Sequence, residues 1–285
     1  MHQGPKLKIA VPNKGALSEA SAQMLREAGY RQRTDSKDLV LVDEDAHVEF
    51  YYLRPRDIAI YVGEGTLDVG LTGRDMLLDS GADADEILQL GFGRSRFRFA
   101  SPQGENRDLA SLEGARIATS YPGLLETYLA EKNITARLIK LDGAVESAIR
   151  LGVADVVADV VETGSTLKRA GLELFGDPIL ESEGIVIRRA DADPEQVNRL
   201  LQRLRGVLVA RNYVMMDYDV PEALLDEAAE LTPGLESPTV SPLAKDGWVA
   251  VRSMVRRQDA HAIMDDLWQV GARAILVTDI AACRL

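Results

Sequence analysis

Residues 146–167 read ESAIRLGVADVVADVVETGSTL and predict a helix, a buried strand and a turn that opens a second helix. The spaced apolar residues indicate an amphipathic helix that ends at Gly152, because glycine adopts a left-handed cap conformation at little cost. The run DVVADVV at 155–161 is too apolar and β-branched for a half-exposed strand, so it predicts a central parallel strand covered on both faces. Asp159 lies near the carboxyl end of this strand, which is where open α/β sheets bind ligands.

The turn at 162–166, ETGST, has the components of a phosphate site. Its glycine permits close approach of the backbone, and the start of the next helix offers free N–H groups with partial positive charge. Asp159 and Glu162 would repel a phosphate, but carboxylates suit ribose hydroxyls or Mg²⁺. A phosphoribosyl group would meet both requirements. A simple helix cap by Thr163 or Ser165 accounts for the local pattern equally well.

The whole chain resembles the ATP phosphoribosyltransferase family, whose members open histidine biosynthesis. The signature segment 146–167 is accompanied by VPNKG at 11–15, LTGRD at 71–75, DYD at 217–219 and GLESPT at 234–239. The length of 285 residues resembles that of the long, histidine-regulated form of the family.

This resemblance implies an enzyme that transfers the 5-phosphoribosyl group of phosphoribosyl pyrophosphate to N1 of ATP and releases pyrophosphate. It also implies feedback inhibition by histidine, and Mg²⁺ as a cofactor carried mainly by the pyrophosphate, with no protein ligand assigned. A displacement at an anomeric carbon needs alignment and charge neutralisation rather than a protein nucleophile. The sequence agrees, because His2, His47 and His261 lie beside none of the motifs.

The resemblance further assigns roles to residues of this chain. We expect catalysis to involve Lys14, Arg54 and Asp159. We expect the phosphoribosyl group to be held by Asp159, Glu162, Thr163, Gly164, Ser165 and Thr166. On the nucleotide side we expect Arg74, Asp75 and Tyr121. A separate histidine site is expected to use Asp219, Leu235, Ser237, Thr239 and Ala274.

The segment 65–75, GTLDVGLTGRD, repeats the plan of residues 152–164. In each segment a glycine closes a helix, Asp68 or Asp155 precedes a buried strand, and a Thr-Gly turn follows that strand. We therefore expect two similar α/β lobes whose strand ends face one cleft. Chance similarity is the alternative, because Gly-x-x-Asp is a common connection between helix and strand.

Extended segments at 88–102 and 179–189 predict that the chain crosses between the lobes, so that the second lobe is inserted in the first. We expect lobe I to comprise residues 1–94 and 189–211, and lobe II to comprise residues 95–188. Residues 212–285 follow the βαββαβ order of a ferredoxin-like regulatory domain. The predicted fold is therefore an α/β, periplasmic-binding-protein-like (type II) catalytic core with two lobes, followed by this C-terminal domain.

The family resemblance also implies a homo-oligomer, typically a hexamer. A C-terminal domain of this size leaves apolar residues for such contacts. The residues expected to offer this surface are Trp248, Val249, Val251, Met254 and Ile263.

Composition limits the partners and the location of the protein. A net charge of −12 argues against nucleic acid or an anionic membrane as partner, because both attract basic surfaces. A single cysteine and a polar N-terminal segment predict a cytoplasmic protein. The alternative to the enzyme is a non-catalytic, two-lobed cytosolic protein that binds a small anion and regulates a partner. Turnover with the two substrates distinguishes these hypotheses.

Overall fold

The structure is a computed structural model that describes residues 4–161 and 164–284. The chain forms two compact units. The first comprises residues up to Arg26 and from Tyr30 to Val197, and the second comprises Glu27–Gly29 and the residues from Asn198 onward. Within the described ranges, no helix is both long and apolar enough to cross a membrane.

The first unit is built from two mixed sheets and their helices. In chain order the elements are β1 (Leu7–Pro12), α1 (Ala16–Glu27), β2 (Val40–Asp43), β3 (Val48–Leu53), α2 (Pro55–Gly63), β4 (Val69–Gly73), α3 (Arg74–Ser80), β5 (Asp85–Gln89), β6 (Ser95–Pro102), β7 (Arg116–Thr119), α4 (Pro122–Glu131), β8 (Arg137–Lys140), α5 (Ser147–Arg150), β9 (Val156–Val161), α6 (Ser165–Arg169), β10 (Leu172–Ser182), β11 (Gly184–Arg188) and α7 (Pro194–Asn212), which continues into the second unit.

Both sheets of this unit follow the same plan. The first has the order β2-β3-β1-β4-β11-β5, with β1 parallel to β3 and β4. The second has the order β10-β6-β9-β7-β8, with β7 parallel to β8 and β9. In each sheet an antiparallel strand, β11 or β6, then lies beside the last of these three. This topology confirms the expected two-lobed, type II architecture.

The chain crosses from the first sheet to the second after β5 and returns at Glu183, between β10 and β11. Lobe II is thus inserted in lobe I, as predicted. The expectation of one strand at 179–189 is wrong, because β10 pairs with β6 in the second sheet, whereas β11 pairs with β4 and β5 in the first. Lobe I therefore resumes at Gly184 rather than at residue 189. The predicted helix before Gly152 is also shorter than expected, since α5 is a single turn.

The two lobes have the same set of aspartate contacts just before their central strands, β4 and β9. In lobe I, Asp68 donates its amide to the Lys8 carbonyl (3.0 Å), accepts from the Lys8 amide (2.8 Å) and pairs with Arg189 (2.7 Å). In lobe II, Asp155 makes the same two backbone bonds to Arg116 (2.8 and 3.0 Å) and pairs with its guanidinium (2.7 Å). Hydrogen bonds from Arg116 lower the pKa of Asp155 to about 2. The repeat seen in the sequence therefore corresponds to matching contacts.

The second unit contains the predicted βαββαβ domain. Its elements after α7 are β12 (Tyr213–Pro221), α8 (Leu225–Leu231), β13 (Thr239–Pro242), β14 (Trp248–Arg256), α9 (Ala260–Val270) and β15 (Arg273–Asp279). The four strands form an antiparallel sheet in the order β13-β14-β12-β15. Alternate residues of β12 are buried, because one face of the sheet packs against the helices.

The apolar surface of this domain differs from the expectation. Val249 and Val251 are buried in the core of the domain, so they provide no free surface, and Ile263 is partly buried against that core. The large apolar side chains that remain exposed include Trp268, Leu276 and Val277 instead.

Candidate active site

Near its carboxyl end, β9 carries a half-buried carboxylate, Asp159. Asp159 Oδ1 accepts a hydrogen bond from the Val160 amide at 2.8 Å. Gly164 directly precedes α6 and has a left-handed conformation (φ 71°), which L residues adopt only with strain. Ser165 and Thr166 are exposed at the first positions of α6. The predicted site residues Glu162 and Thr163 lie outside the described residues.

Burial raises the pKa of Asp159 to about 6. The Val160 amide and Arg56 oppose this rise, whereas the negative charges of Glu146 and Asp75 add to it. A carboxyl group whose pKa is shifted by burial and by neighbouring charges is typical of a functional site.

A cavity of about 190 Å³ lies between the two lobes of the first unit. Lobe I contributes Lys14 and Asp75, and lobe II contributes Tyr121 and Val160. The structure therefore brings three of the predicted site residues to one cleft, with Asp159 next to Val160. The rest of its lining is Gly15, Ala16, Leu17, Pro55, Gly73, Met76, Gly93 and Ser95.

Asp75 and Tyr121 contact each other across this cleft. Asp75 is buried, and the Ser182 hydroxyl donates to its Oδ1 at 2.8 Å while its own amide donates to Ser182 Oγ at 3.0 Å. Burial first, and then the neighbouring Asp75 carboxylate, raise the pKa of Tyr121, so its hydroxyl keeps its proton at neutral pH. Sequence reasoning missed Ser182, because this residue is next to Asp75 only through the return crossing of the chain.

Arg56 and Asp79 were also not predicted from the sequence. The Arg56 guanidinium lies 4.4 Å from the centroid of the Tyr121 ring and pairs with Asp79 at 3.1 Å. Asp79 in turn accepts from the backbone amides of Gly123 (2.9 Å) and Leu124 (3.2 Å) in α4. The sequence signal for Arg56 is that it is the second arginine of the segment RPRD at 54–57, beside the predicted Arg54.

Two of the predicted site residues, Arg54 and Arg74, do not line the cleft cavity. Arg54 is exposed and stands just before α2, and it does not line the cleft cavity. Arg74 forms two hydrogen bonds with Glu86 (2.8 and 2.7 Å) and one with the Glu181 carbonyl (3.1 Å). Its charge is therefore already balanced, and its side chain lines a different cavity together with Arg94. A role for Arg74 at the nucleotide stays a prediction.

The second unit has its own cavity, of about 580 Å³, on its sheet. Asp219, Thr239 and Ala274, three of the five predicted effector residues, line this cavity. Leu235 and Ser237 precede β13 and are not part of the lining. Neither aspartate of the DYD motif caps the short helix that follows β12, because that helix begins without a side-chain cap.

The two acidic residues of this cavity differ in their contacts. Asp217 pairs with Arg252 at 2.6 Å, whereas Asp219 has no hydrogen-bond partner for its side chain among the described residues. Opposite Asp219, the register of β15 shifts by a bulge, and Ala274 adopts a left-handed conformation (φ 51°). Such bulges and strained residues are frequent beside binding sites.

We predict that Asp159→Asn stabilises the fold at neutral pH. The folded-state pKa of Asp159, about 6, is higher than the value of about 3.9 for an unfolded aspartate, so the stability of the parent falls as pH rises through this window. Asparagine avoids this loss, which we put at roughly 1–3 kcal/mol after solvent screening.

Thermal melts at several pH values provide the test. Parent and Asp159→Asn should melt alike near pH ~4, and the variant should melt higher above pH ~6. The exposed Asp142 offers a control, because Asp142→Asn should show no such gain. A difference between parent and Asp159→Asn that is the same at every pH would contradict a buried charge at this position.

Comparison with known proteins gives a consistent result. The family model described as ATP phosphoribosyltransferase matches residues 54–206, and the model described as HisG, C-terminal domain, matches residues 210–282. The ATP phosphoribosyltransferase of Pseudarthrobacter chlorophenolicus is 62% identical, and the match covers 98% of this chain and all of that protein. The enzyme of the same name from Salinispora tropica is also 62% identical, with the same coverage.

Among solved structures, one chain of an ATP phosphoribosyl transferase (HisG:HisZ) complex from Thermotoga maritima is similar, with a TM-score of 0.63 and 30% identity. The match covers 71% of this chain and 98% of that chain.

Proposed function

The chain belongs to the ATP phosphoribosyltransferase family, and from this premise we propose how its residues carry out the reaction. The enzyme transfers the 5-phosphoribosyl group from phosphoribosyl pyrophosphate to N1 of ATP. The products are N1-(5-phosphoribosyl)-ATP and pyrophosphate, and the reaction is the first step of histidine biosynthesis. The observation that carries the mechanism is the cleft where Lys14, Asp75 and Tyr121 meet beside the end of β9.

The phosphoribosyl group is held by the turn after β9. Its 5′-phosphate binds residues 163–166, where Gly164 adopts a left-handed conformation just before α6 and the backbone amides at the start of a helix carry partial positive charge. Its ribose hydroxyls donate to Asp159, whose carboxylate is ionised above pH ~6. Glu162 is a second acceptor in this proposal.

The rest of the cleft aligns the nucleotide and the leaving group. Lys14, from the loop between β1 and α1, and Arg54 contact the anionic groups of the substrates. Asp75 and Tyr121 lie on the nucleotide side. The bond from the anomeric carbon to pyrophosphate breaks and the N1 lone pair forms the new bond, so the protein contributes orientation and charge stabilisation.

Mg²⁺ is expected to enter with the pyrophosphate. When bound, it supplies charge neutralisation on the leaving group. The described residues include no group of three or more His, Cys, Asp or Glu side chains that could hold a metal ion, and no protein ligand is assigned to it.

The phosphate turn leads to a paired prediction. The parent should convert the two substrates to the N1 adduct, which a non-catalytic binding protein would not do. Gly164→Val should weaken phosphoribosyl pyrophosphate binding more than Ser165→Ala, because valine is strained at φ 71° and covers the amides. The serine variant loses only one hydrogen bond, about 1–3 kcal/mol.

Initial rates and phosphoribosyl pyrophosphate affinity measure both effects. The two substitutions lie next to each other, so they serve as controls for one another. Equal affinities in the two variants would count against phosphate binding at this turn. A well-folded parent without turnover would reject the enzymatic function itself.

Histidine is proposed to inhibit the enzyme from the cavity of the second unit. An amino acid needs an acidic partner for its ammonium or imidazole group and donors for its carboxylate. The unpartnered Asp219 meets the first need, and the Thr239 hydroxyl meets the second. Inhibition then requires that histidine binds one arrangement of the protein better than another.

We predict that Asp219→Ala reduces histidine inhibition while turnover without histidine is kept. The loss of one charge-assisted bond, about 1.5–3 kcal/mol, corresponds to a rise in the inhibition constant of roughly 10- to 100-fold. Asp265→Ala, which changes an exposed residue of α9 in the same domain, should leave inhibition as in the parent. Dose–response curves with histidine decide the matter, and an unchanged curve for Asp219→Ala would remove this residue from the site.

Assembly and location complete the proposal. The exposed Trp268, Leu276 and Val277 of the second unit favour association with further copies of the chain, as a homo-oligomer that the family resemblance extends to a hexamer. Sedimentation as a monomer at micromolar concentration would contradict this. We place the enzyme in the cytoplasm, where a single free cysteine is kept reduced.

A further inference from the structure

Asp79 connects the two lobes of the first unit through a single side chain. It belongs to α3 in lobe I, and its side chain is 13% exposed. Oδ1 accepts from the amides of Gly123 and Leu124 in lobe II, and Oδ2 accepts from Arg56 in lobe I. Both carboxylate oxygens are thus bound by protein groups, and the proposed mechanism gives Asp79 no contact with a substrate.

The contact to α4 is a helix cap that comes from another lobe. The first amides of a helix have no partner within the helix, and a carboxylate there also interacts favourably with the helix dipole. The residue just before α4, Tyr121, supplies no such cap through its side chain. Asp79 therefore replaces a local cap and fixes the position at which α4 begins.

The backbone on both sides of this contact is closely packed. A Cβ atom at Gly123 would lie 2.2 Å from the Asp79 carbonyl oxygen, so only glycine fits here without a shift of backbone. The start of α4 consequently rests directly on the end of α3. This close approach brings Tyr121, at the beginning of α4, to the cleft.

The same carboxylate holds Arg56 against Tyr121. The guanidinium lies 4.4 Å from the ring centroid, and its ion pair with Asp79 fixes it in that place. Tyr121 lines the cleft cavity together with Asp75. One side chain therefore determines the positions of a cation and of an aromatic ring beside the proposed nucleotide site.

We propose that Asp79 is a positioning residue for the phosphoribosyl transfer, which acts through Arg56 and Tyr121 by capping α4 and anchoring the guanidinium. This inference rests on the proposed function. Displacement of reacting groups by about 1 Å lowers turnover by up to 10²-fold, so the anchoring of the two side chains matters for rate.

Two substitutions separate the parts of this role. Asp79→Asn keeps an oxygen that caps α4 but loses the charge that holds Arg56. Asp79→Ala loses both. We expect kcat/KM to fall about 3- to 10-fold in the asparagine variant and about 10- to 100-fold in the alanine variant. The matched control is Asp83→Asn, an exposed residue in the loop after α3, which should stay within about twofold of the parent.

A double-mutant cycle shows whether Asp79 acts through Arg56. In an Arg56→Gln background, Asp79→Asn should lower kcat/KM by less than about twofold, because the partner of the charge is already absent. In a Lys14→Gln background it should keep its full effect, since the Asp79 oxygens are bound by Arg56, Gly123 and Leu124 and not by Lys14. A general loss of stability would lower kcat/KM equally in both backgrounds.

The outcomes are distinct. A smaller effect of Asp79→Asn in the Arg56→Gln background than in the Lys14→Gln background supports the inference. If the alanine variant does not fold, the asparagine variant alone provides this test. Activity of Asp79→Asn and Asp79→Ala within twofold of an active parent overturns this inference alone, as does an equal loss in the two backgrounds. A folded parent without turnover overturns the proposed function and this inference together.

Discussion

The chain passes between its two sheets twice, and the two passages are hydrogen-bonded to each other. The Leu90 amide donates to the Gly184 carbonyl (2.9 Å), and the Gly184 amide donates to the Phe92 carbonyl (2.8 Å). A Cβ atom at Gly184 would lie 2.8 Å from the Phe92 ring, so any other residue at this approach would displace that ring. This paired crossing brings the carboxyl end of β9 in lobe II next to the strand ends of lobe I. The cleft and its chemistry depend on it.

The burial of two carboxyl groups near this crossing, those of Asp159 and Asp75, determines the electrostatic properties of the site. Asp159 follows three fully buried residues of β9, and burial raises the pKa of its carboxyl group. Asp75 is also buried and is retained through its bonds with Ser182. Charged groups in such positions reduce stability, and proteins keep them where binding needs them. Asp68 and Asp155, in contrast, have hydrogen-bond and ion-pair partners at the starts of β4 and β9, and these contacts stabilise the fold.

The sequence predicted the features that depend on local order along the chain. The apolar run that became β9, the glycine turn after it and the repeated helix-to-strand connection identified both lobes and the position of Asp159. It failed where distant residues decide the outcome. The order of residues along the chain gives no sign that Glu86 binds Arg74 or that Arg56 packs on the Tyr121 ring. Strand β10 was largely missed because an irregularity between Phe175 and Leu180 interrupts its pattern.

The central claim is that phosphoribosyl pyrophosphate binds in the cleft with its ribose at Asp159 and its 5′-phosphate at the turn before α6. A crystal structure of the protein with phosphoribosyl pyrophosphate and Mg²⁺ tests this most directly. We expect ribose hydroxyls within about 3 Å of the Asp159 carboxylate and phosphate oxygens at a similar distance from the amides of residues 164–166. Clear density for the ligand elsewhere on the chain, with Asp159 and this turn free of contacts, would contradict the claim.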